Sequence, residues 1–301
     1  MFAKGTVQTG AIDFGTVRAG TSAAVQRTLT VANESSVIID NGTAYTTRDR
    51  IRATLGTLPA AISSSRDYFD LMSVGRSSSN TLSMATDLPG IVSGNIAVNF
   101  ASTAAIGSPF FAVEGGTVAV TGIVTQVANF TLGSSGAGQL TSTDAAIYSG
   151  LYGGTYLLDF GNVVAGTSVV SRLSVFNTLA ASAFAENLGG SFAGPFDFDG
   201  FSGAGSYFSD IAGGTRGGFN TVGFDAAGQS LGLHSTYFEF YLTSNFRGLD
   251  PVFLGLFRIG LQANVIDATV AGVPEPASWS LMIAGFGLVG AAMRRRTARA
   301  A

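Results

Sequence analysis

The sequence predicts an all-β chain in which two antiparallel β-sandwiches stand in series and are followed by one C-terminal transmembrane helix. Three observations predict it. A segment near the N-terminus recurs about halfway along the chain, short alternating apolar runs punctuated by glycine and serine fill both halves, and an uncharged run near the end stops at clustered arginines.

At 301 residues the chain is long enough for two domains with a core each, plus a tail. The 41 glycines and a charged fraction of only 12% suit an all-β protein with many tight turns. A net charge of -3 provides no basic field for phosphate backbones, which argues against nucleic acid as a partner. Cysteine is absent, which excludes disulfides, thiolate metal sites and cysteine nucleophiles. Residues 1–8 contain no apolar run of signal-peptide length, so an export signal is expected upstream of Met1 and missing from the chain as given.

The recurring segment is 12–22 (IDFGTVRAGTS) and 158–168 (LDFGNVVAGTS). Its offset of 146 residues, Ile12 to Leu158, becomes 144 in the alternating run that follows, Leu29 to Leu173. A difference of two preserves the pleat, so the same face still points inward. Later stretches also correspond: residues 95–100 and 237–242 alternate as half-buried strands, and each precedes a closing strand, 117–124 and 257–265. Ser63-Ser64-Ser65, Ser77-Ser78-Ser79 and the glycine-rich 213–218 read as loops by composition. The boundaries expected are a first sandwich over 1–130, a linker over 131–145 (glycine- and serine-rich at 132–138), a second sandwich over 146–270 and a tail over 271–301.

The pattern F-G-x-V-x-x-G-T followed by alternation and asparagine resembles the opening strands of immunoglobulin-like domains of the ASPM, SPD-2 and Hydin group and of the bacterial choice-of-anchor D modules. The resemblance covers about twenty-five residues per copy. It implies immunoglobulin-like sandwiches, with Phe14 and Phe160 in the cores and Gly20 and Gly166 turning the chain into the next strand.

Few residues in the body suggest chemistry. His234 is the only histidine, so a histidine-pair metal site is impossible, and no G-x-S-x-G elbow accompanies it. Asp197-Phe198-Asp199-Gly200 is similar to the start of a calcium loop, since clustered carboxylates supply hard oxygen ligands, but the remaining ligands are missing; an ordinary acidic turn is the reading taken, with calcium the alternative. Phe192, Phe196, Phe198, Phe201, Phe208, Phe219 and Phe224 are read as core packing in preference to a sugar-stacking surface, which favours Trp and Tyr beside polar groups. No catalytic residue, metal or cofactor is expected.

The tail carries the strongest signal. Residues 277–293 (ASWSLMIAGFGLVGAAM) hold seventeen positions without a charge. A helix of that length spans about 25 Å, near the lower limit for a bilayer core of roughly 30 Å. Leu281, Met282, Ile283, Phe286, Leu288 and Val289 would form the anchor, Trp279 would sit at headgroup level, and Arg294, Arg295, Arg296 and Arg299 would hold the cytoplasmic side. The alternative, a buried C-terminal helix, fits poorly with three consecutive arginines at its end.

Pro274-Glu275-Pro276, Trp279, the glycine-containing apolar run and the arginines resemble, in that order, the PEP-CTERM sorting signal of Gram-negative bacteria in its PEPxxW variant. The resemblance implies an exosortase as processing partner, cutting near Pro274-Glu275-Pro276. It also implies passage through the inner membrane to the cell surface or extracellular matrix, and association with biofilm or exopolysaccharide. Two prolines keep that segment extended and open to an active site. The function expected is therefore an exported, non-catalytic surface or matrix protein; the alternatives are an exported carbohydrate-active hydrolase of unrecognised type and an unprocessed tail-anchored membrane protein.

Overall fold

The structure is a computed structural model that describes residues 2–20, 24–34, 37–40, 43–46, 49–104, 108–143, 154–194, 196–268, 281–284 and 286. In the first half the strands are β1 (Lys4–Val7), β2 (Ile12–Arg18), β3 (Val25–Glu34), β4 (Val37–Asp40), β5 (Thr43–Thr46), β6 (Arg50–Leu55), β7 (Ile62–Ser64), β8 (Tyr68–Met72), β9 (Ser77–Met84), β10 (Gly90–Thr103) and β11 (Phe111–Thr125). In the second half they are β12 (Phe130–Gly136), β13 (Gln139–Thr143), β14 (Gly154–Val164), β15 (Ser168–Asn177), β16 (Asn187–Phe192), β17 (Phe196–Phe198), β18 (Phe201–Gly203), β19 (Ser206–Ile211), β20 (Arg216–Asp225), β21 (Gly232–Asn245) and β22 (Val252–Ile266).

The first module stacks a four-stranded sheet, β1-β3-β9-β7, on a five-stranded one, β2-β11-β10-β6-β8, with β4 and β5 paired as a separate hairpin. Its core takes alternate residues from both layers: Leu29, Val31, Leu82 and Met84 from one, Phe14, Ile96, Val98 and Val120 from the other. The second module stacks β12-β15-β20-β18-β17 on β13-β14-β22-β21-β16-β19. Leu173, Val175 and Val222 meet Phe192, Phe240, Ile259 and Leu261 in its core.

The repeated Asp-Phe-Gly segment builds the same device twice. Gly15 and Gly161 adopt φ of 78° and 68°, left-handed values that glycine tolerates without strain. The N–H of each is held by the aspartate two residues earlier, Gly15 to Asp13 Oδ1 at 2.9 Å and Gly161 to Asp159 Oδ1 at 2.8 Å. Each device breaks the register of the strand it lies on, β2 along β11 and β14 along β22, as a bulge does. Phe14 and Phe160 are buried, and Gly20 and Gly166 turn the chain at φ of 74° and 78°.

Four expectations are corrected. The transmembrane helix fails: among the described residues no helix is long and apolar enough to cross a membrane, and only 281–284 and 286 are helical. The uncharged run of seventeen residues is itself short for a bilayer core of roughly 30 Å. The sheets are not purely antiparallel, because β2 runs parallel to β11 and β14 parallel to β22. The stretch 131–145 is not a linker over its described part, where β12 and β13 start the two sheets of the second module. Serine-rich segments placed in loops lie in strands β7 and β9, where hydroxyls bond across the exposed face, as Thr30 Oγ1 does to Ser79 Oγ at 2.8 Å.

Candidate functional site

Of the tail residues, Pro274, Glu275, Pro276, Trp279, Leu288, Val289, Arg294, Arg295, Arg296 and Arg299 lie outside the described residues. Leu281, Met282, Ile283 and Phe286 have helical backbone and exposed side chains. The apolar residues of the tail that the structure places are therefore offered to the surroundings and take no part in either core.

The two modules meet at a buried carboxylate. Glu186, fully buried just before β16, receives Arg18 Nε at 2.9 Å on Oε1 and 3.2 Å on Oε2. Thr125 Oγ1 donates to Oε1 and Ser244 Oγ to Oε2, both at 2.7 Å. Arg18 and Thr125 end two strands of the first module, whereas Ser244 lies on β21 of the second. Main chain joins the same junction: Gln126 pairs in parallel with Ala185, and Ala128 N–H donates to Ser244 Oγ at 2.8 Å. A buried charge persists only with such a set of partners. Sequence reasoning missed this joint, although a signal existed: the repeat carries Arg18 where its second copy has Val164.

On the outward face of the six-stranded sheet, an open groove of about 550 Å³ runs between Ser191, Tyr207, Glu239 and Tyr241. Register places Tyr207 opposite Ser191, Ser191 opposite Tyr241 and Tyr241 opposite Leu256, all on one face. Tyr207 is 84% exposed. Beside the groove Arg258 bonds Glu239 at 3.2 Å and lies 3.9 Å over the Tyr237 ring. Of the phenylalanine set, Phe192, Phe201 and Phe224 are buried and Phe196 stacks on Phe238, while Phe198 and Phe219 face outward, the latter under Arg172. The exposed tyrosines come from two strands, Tyr207 on β19 and Tyr237 and Tyr241 on β21, where the four-residue spacing of the latter two could have flagged a shared face.

His234 is buried, with Asp199 beside one ring nitrogen and the Ser230 carbonyl beside the other. Among the described residues no group of three or more His, Cys, Asp or Glu is placed to hold a metal ion, and Asp197 and Asp199 belong to a tight hairpin.

Comparison with known proteins adds one functional finding. No curated protein is similar enough in sequence to be matched to this chain. Among solved structures, it is similar to a Porphyromonas gingivalis W83 protein of unknown function, at 14% identity over 86% of this chain and 99% of that one, with a TM-score of 0.27. It is also similar to the CupB6 tip adhesin of Pseudomonas aeruginosa, at 10% identity over 88% and 100% with a TM-score of 0.27. PapD-like domain 7 of human CEP192 is 13% identical over 42% of this chain and 87% of that one, with a TM-score of 0.30. Likeness at this level carries no argument about function. Residues 272–296 match the PEP-CTERM protein-sorting motif, and this motif indicates an exported protein sorted to the cell surface as a substrate of an exosortase.

Proposed function

We propose that the chain is a non-catalytic display protein: its paired sandwiches, immunoglobulin-like in plan, are carried out of the cell, released from the sorting tail by an exosortase, and held among surface or matrix polymers such as exopolysaccharide. The observation that carries this reading is the place of the sorting motif, whose match begins at residue 272, beyond the end of the last described strand at Ile266. Processing there leaves both sandwiches whole. The non-catalytic part is supported by how the acid–base groups are used: Glu186 is consumed in the joint between the modules, and both nitrogens of His234 are engaged by neighbours.

Intact-mass measurement of the full chain, expressed in a host that carries an exosortase, tests the reading. The mature protein is expected outside the cell and shortened to an end near Pro274-Glu275-Pro276, while a chain truncated before residue 272 escapes sorting. A secreted protein that keeps residues 277–301 would remove the exosortase from the account. Release of sugars from purified polysaccharides by the same preparation would overturn the non-catalytic part alone.

A further inference from the structure

Two residues singled out by the sequence for separate reasons, His234 and Asp199, meet in the fold. Asp199 and Gly200 are the central pair of the hairpin that joins β17 to β18, with φ of 50° and 81° and with Phe198 paired to Phe201 across them. Positive φ at both positions is what a two-residue hairpin turn of the primed type needs, and Asp-Gly supplies it. The turn brings Asp199 Oδ1 to 3.0 Å from His234 Nδ1. On the other side, the Ser230 carbonyl oxygen lies 2.8 Å from His234 Nε2.

An ionised carboxylate and a carbonyl oxygen can only accept hydrogen bonds. A neutral imidazole has one N–H and satisfies one of them, whereas an imidazolium satisfies both. Among the described residues the surroundings add no competing cation: the hairpin contributes Asp197 and Asp199, β20 contributes the Phe224 ring at 5.8 Å, and on β22 the residue opposite is Ala263, flanked by Gln262 and Asn264. Asp225, at the end of β20, is occupied by Ser168 Oγ and the Ala227 N–H, each at 3.0 Å. The Ser230 carbonyl first, and then Asp199, raise the His234 pKa above its ordinary 6.5, with burial opposing them.

We infer that His234 is a pH-operated clasp which, when protonated, ties both the β17–β18 hairpin and the 226–231 turn to β21, and which, when the proton leaves, keeps its one remaining N–H on the shorter bond to the Ser230 carbonyl and so releases the hairpin. The direction follows from linkage. A histidine whose folded pKa is raised contributes its full stabilisation below the unfolded value near 6.5, and that contribution is lost as pH rises through the folded value. What is released is an edge: within its sheet β17 pairs with β18 alone, and Phe198 on it is 65% exposed. A protein working outside the cell thus has one sheet edge that is tight in acid and loose in alkali.

Because the chain contains one histidine, labelling the full-length protein with ¹⁵N-histidine gives a single ring to titrate by NMR. The midpoint is expected above 6.5, and hydrogen exchange over 196–203, corrected for its intrinsic pH dependence, is expected to accelerate through the same midpoint. Asp199→Asn keeps a residue that tolerates positive φ and should lower the midpoint. A midpoint at or below 6.5, a midpoint indifferent to Asp199→Asn, or hairpin exchange that ignores the titration each overturns the clasp.

Discussion

Asn80 in the first module and Asn220 in the second occupy the same place and meet different fates. Each lies opposite the equivalent core leucine, Asn80 beside Leu29 and Asn220 beside Leu173, and both are buried. Asn80 Nδ2 donates to the carbonyls of Arg66 and Tyr68, each at 3.1 Å, and so staples the segment by which the chain crosses from β7 in one sheet to β8 in the other. In the second module the crossing runs from β18 to β19, Gly205 turns at φ 67° against Gly194, and neither amide atom of Asn220 has a protein partner. A second asparagine pair is used alike in both modules, by contrast. Asn33 bonds the carbonyls of Asp49 and Met72, and its counterpart Asn177 bonds those of Glu186 and Ile211, at 2.9–3.0 Å throughout. A buried amide keeps its use only while the loop it braces keeps its course.

The largest effect should come where the modules depend on each other. Glu186→Ala leaves Arg18 facing an emptied pocket and should cost about 3–5 kcal/mol in urea unfolding, lowering the stability of both halves or splitting one transition into two. A loss under about 1 kcal/mol would mean that the joint is not a shared element. Next comes the asparagine pair. Asn80→Leu should cost about 1–3 kcal/mol because two backbone carbonyls lose their donor, while Asn220→Leu should be neutral or stabilising. Equal costs would show that Asn220 is as well bonded as Asn80 and would erase the contrast. The smallest effect should be the most symmetrical: Gly15→Ala and Gly161→Ala meet no neighbour within 4 Å, so each should cost about 1 kcal/mol from backbone strain alone. A large difference between them would mean that the two bulges are not equivalent.

The parts legible in the sequence were those that obey a period or a backbone rule. Residues 95–100 and 237–242 announced β10 and β21 by alternation, and the repeat announced the buried Phe14 and Phe160 and the turns at Gly20 and Gly166, though not the bulge at Gly15 and Gly161. Composition misled where polar residues line the outer face of a strand, as Ser77 and Ser79 do in β9, because a hydroxyl suits a turn and a solvated sheet equally. Glycine and serine at 132–138 misled in the same way, since β12 is an edge strand that needs few large side chains. Glu186 was illegible because its four hydrogen bonds come from residues as distant as Arg18 and Ser244, and no local pattern marks a carboxylate destined for burial. The sorting tail was readable because an enzyme, and not a fold, has to recognise it, so its residues stand close together in the chain.

The position of β22 has a mechanical consequence. This strand, the last among the described residues, lies inside its sheet, gripped by β14 on one side and β21 on the other, and ends at Ile266. A cut at the Pro274-Glu275-Pro276 segment leaves a leash of residues 267–273, at full stretch no more than roughly 25 Å. Whatever holds the new end holds the second module close, and a pull on it runs along β22 and loads two ladders of hydrogen bonds in shear together. A terminus on an edge strand would peel away one bond at a time; this one resists as a bolt does.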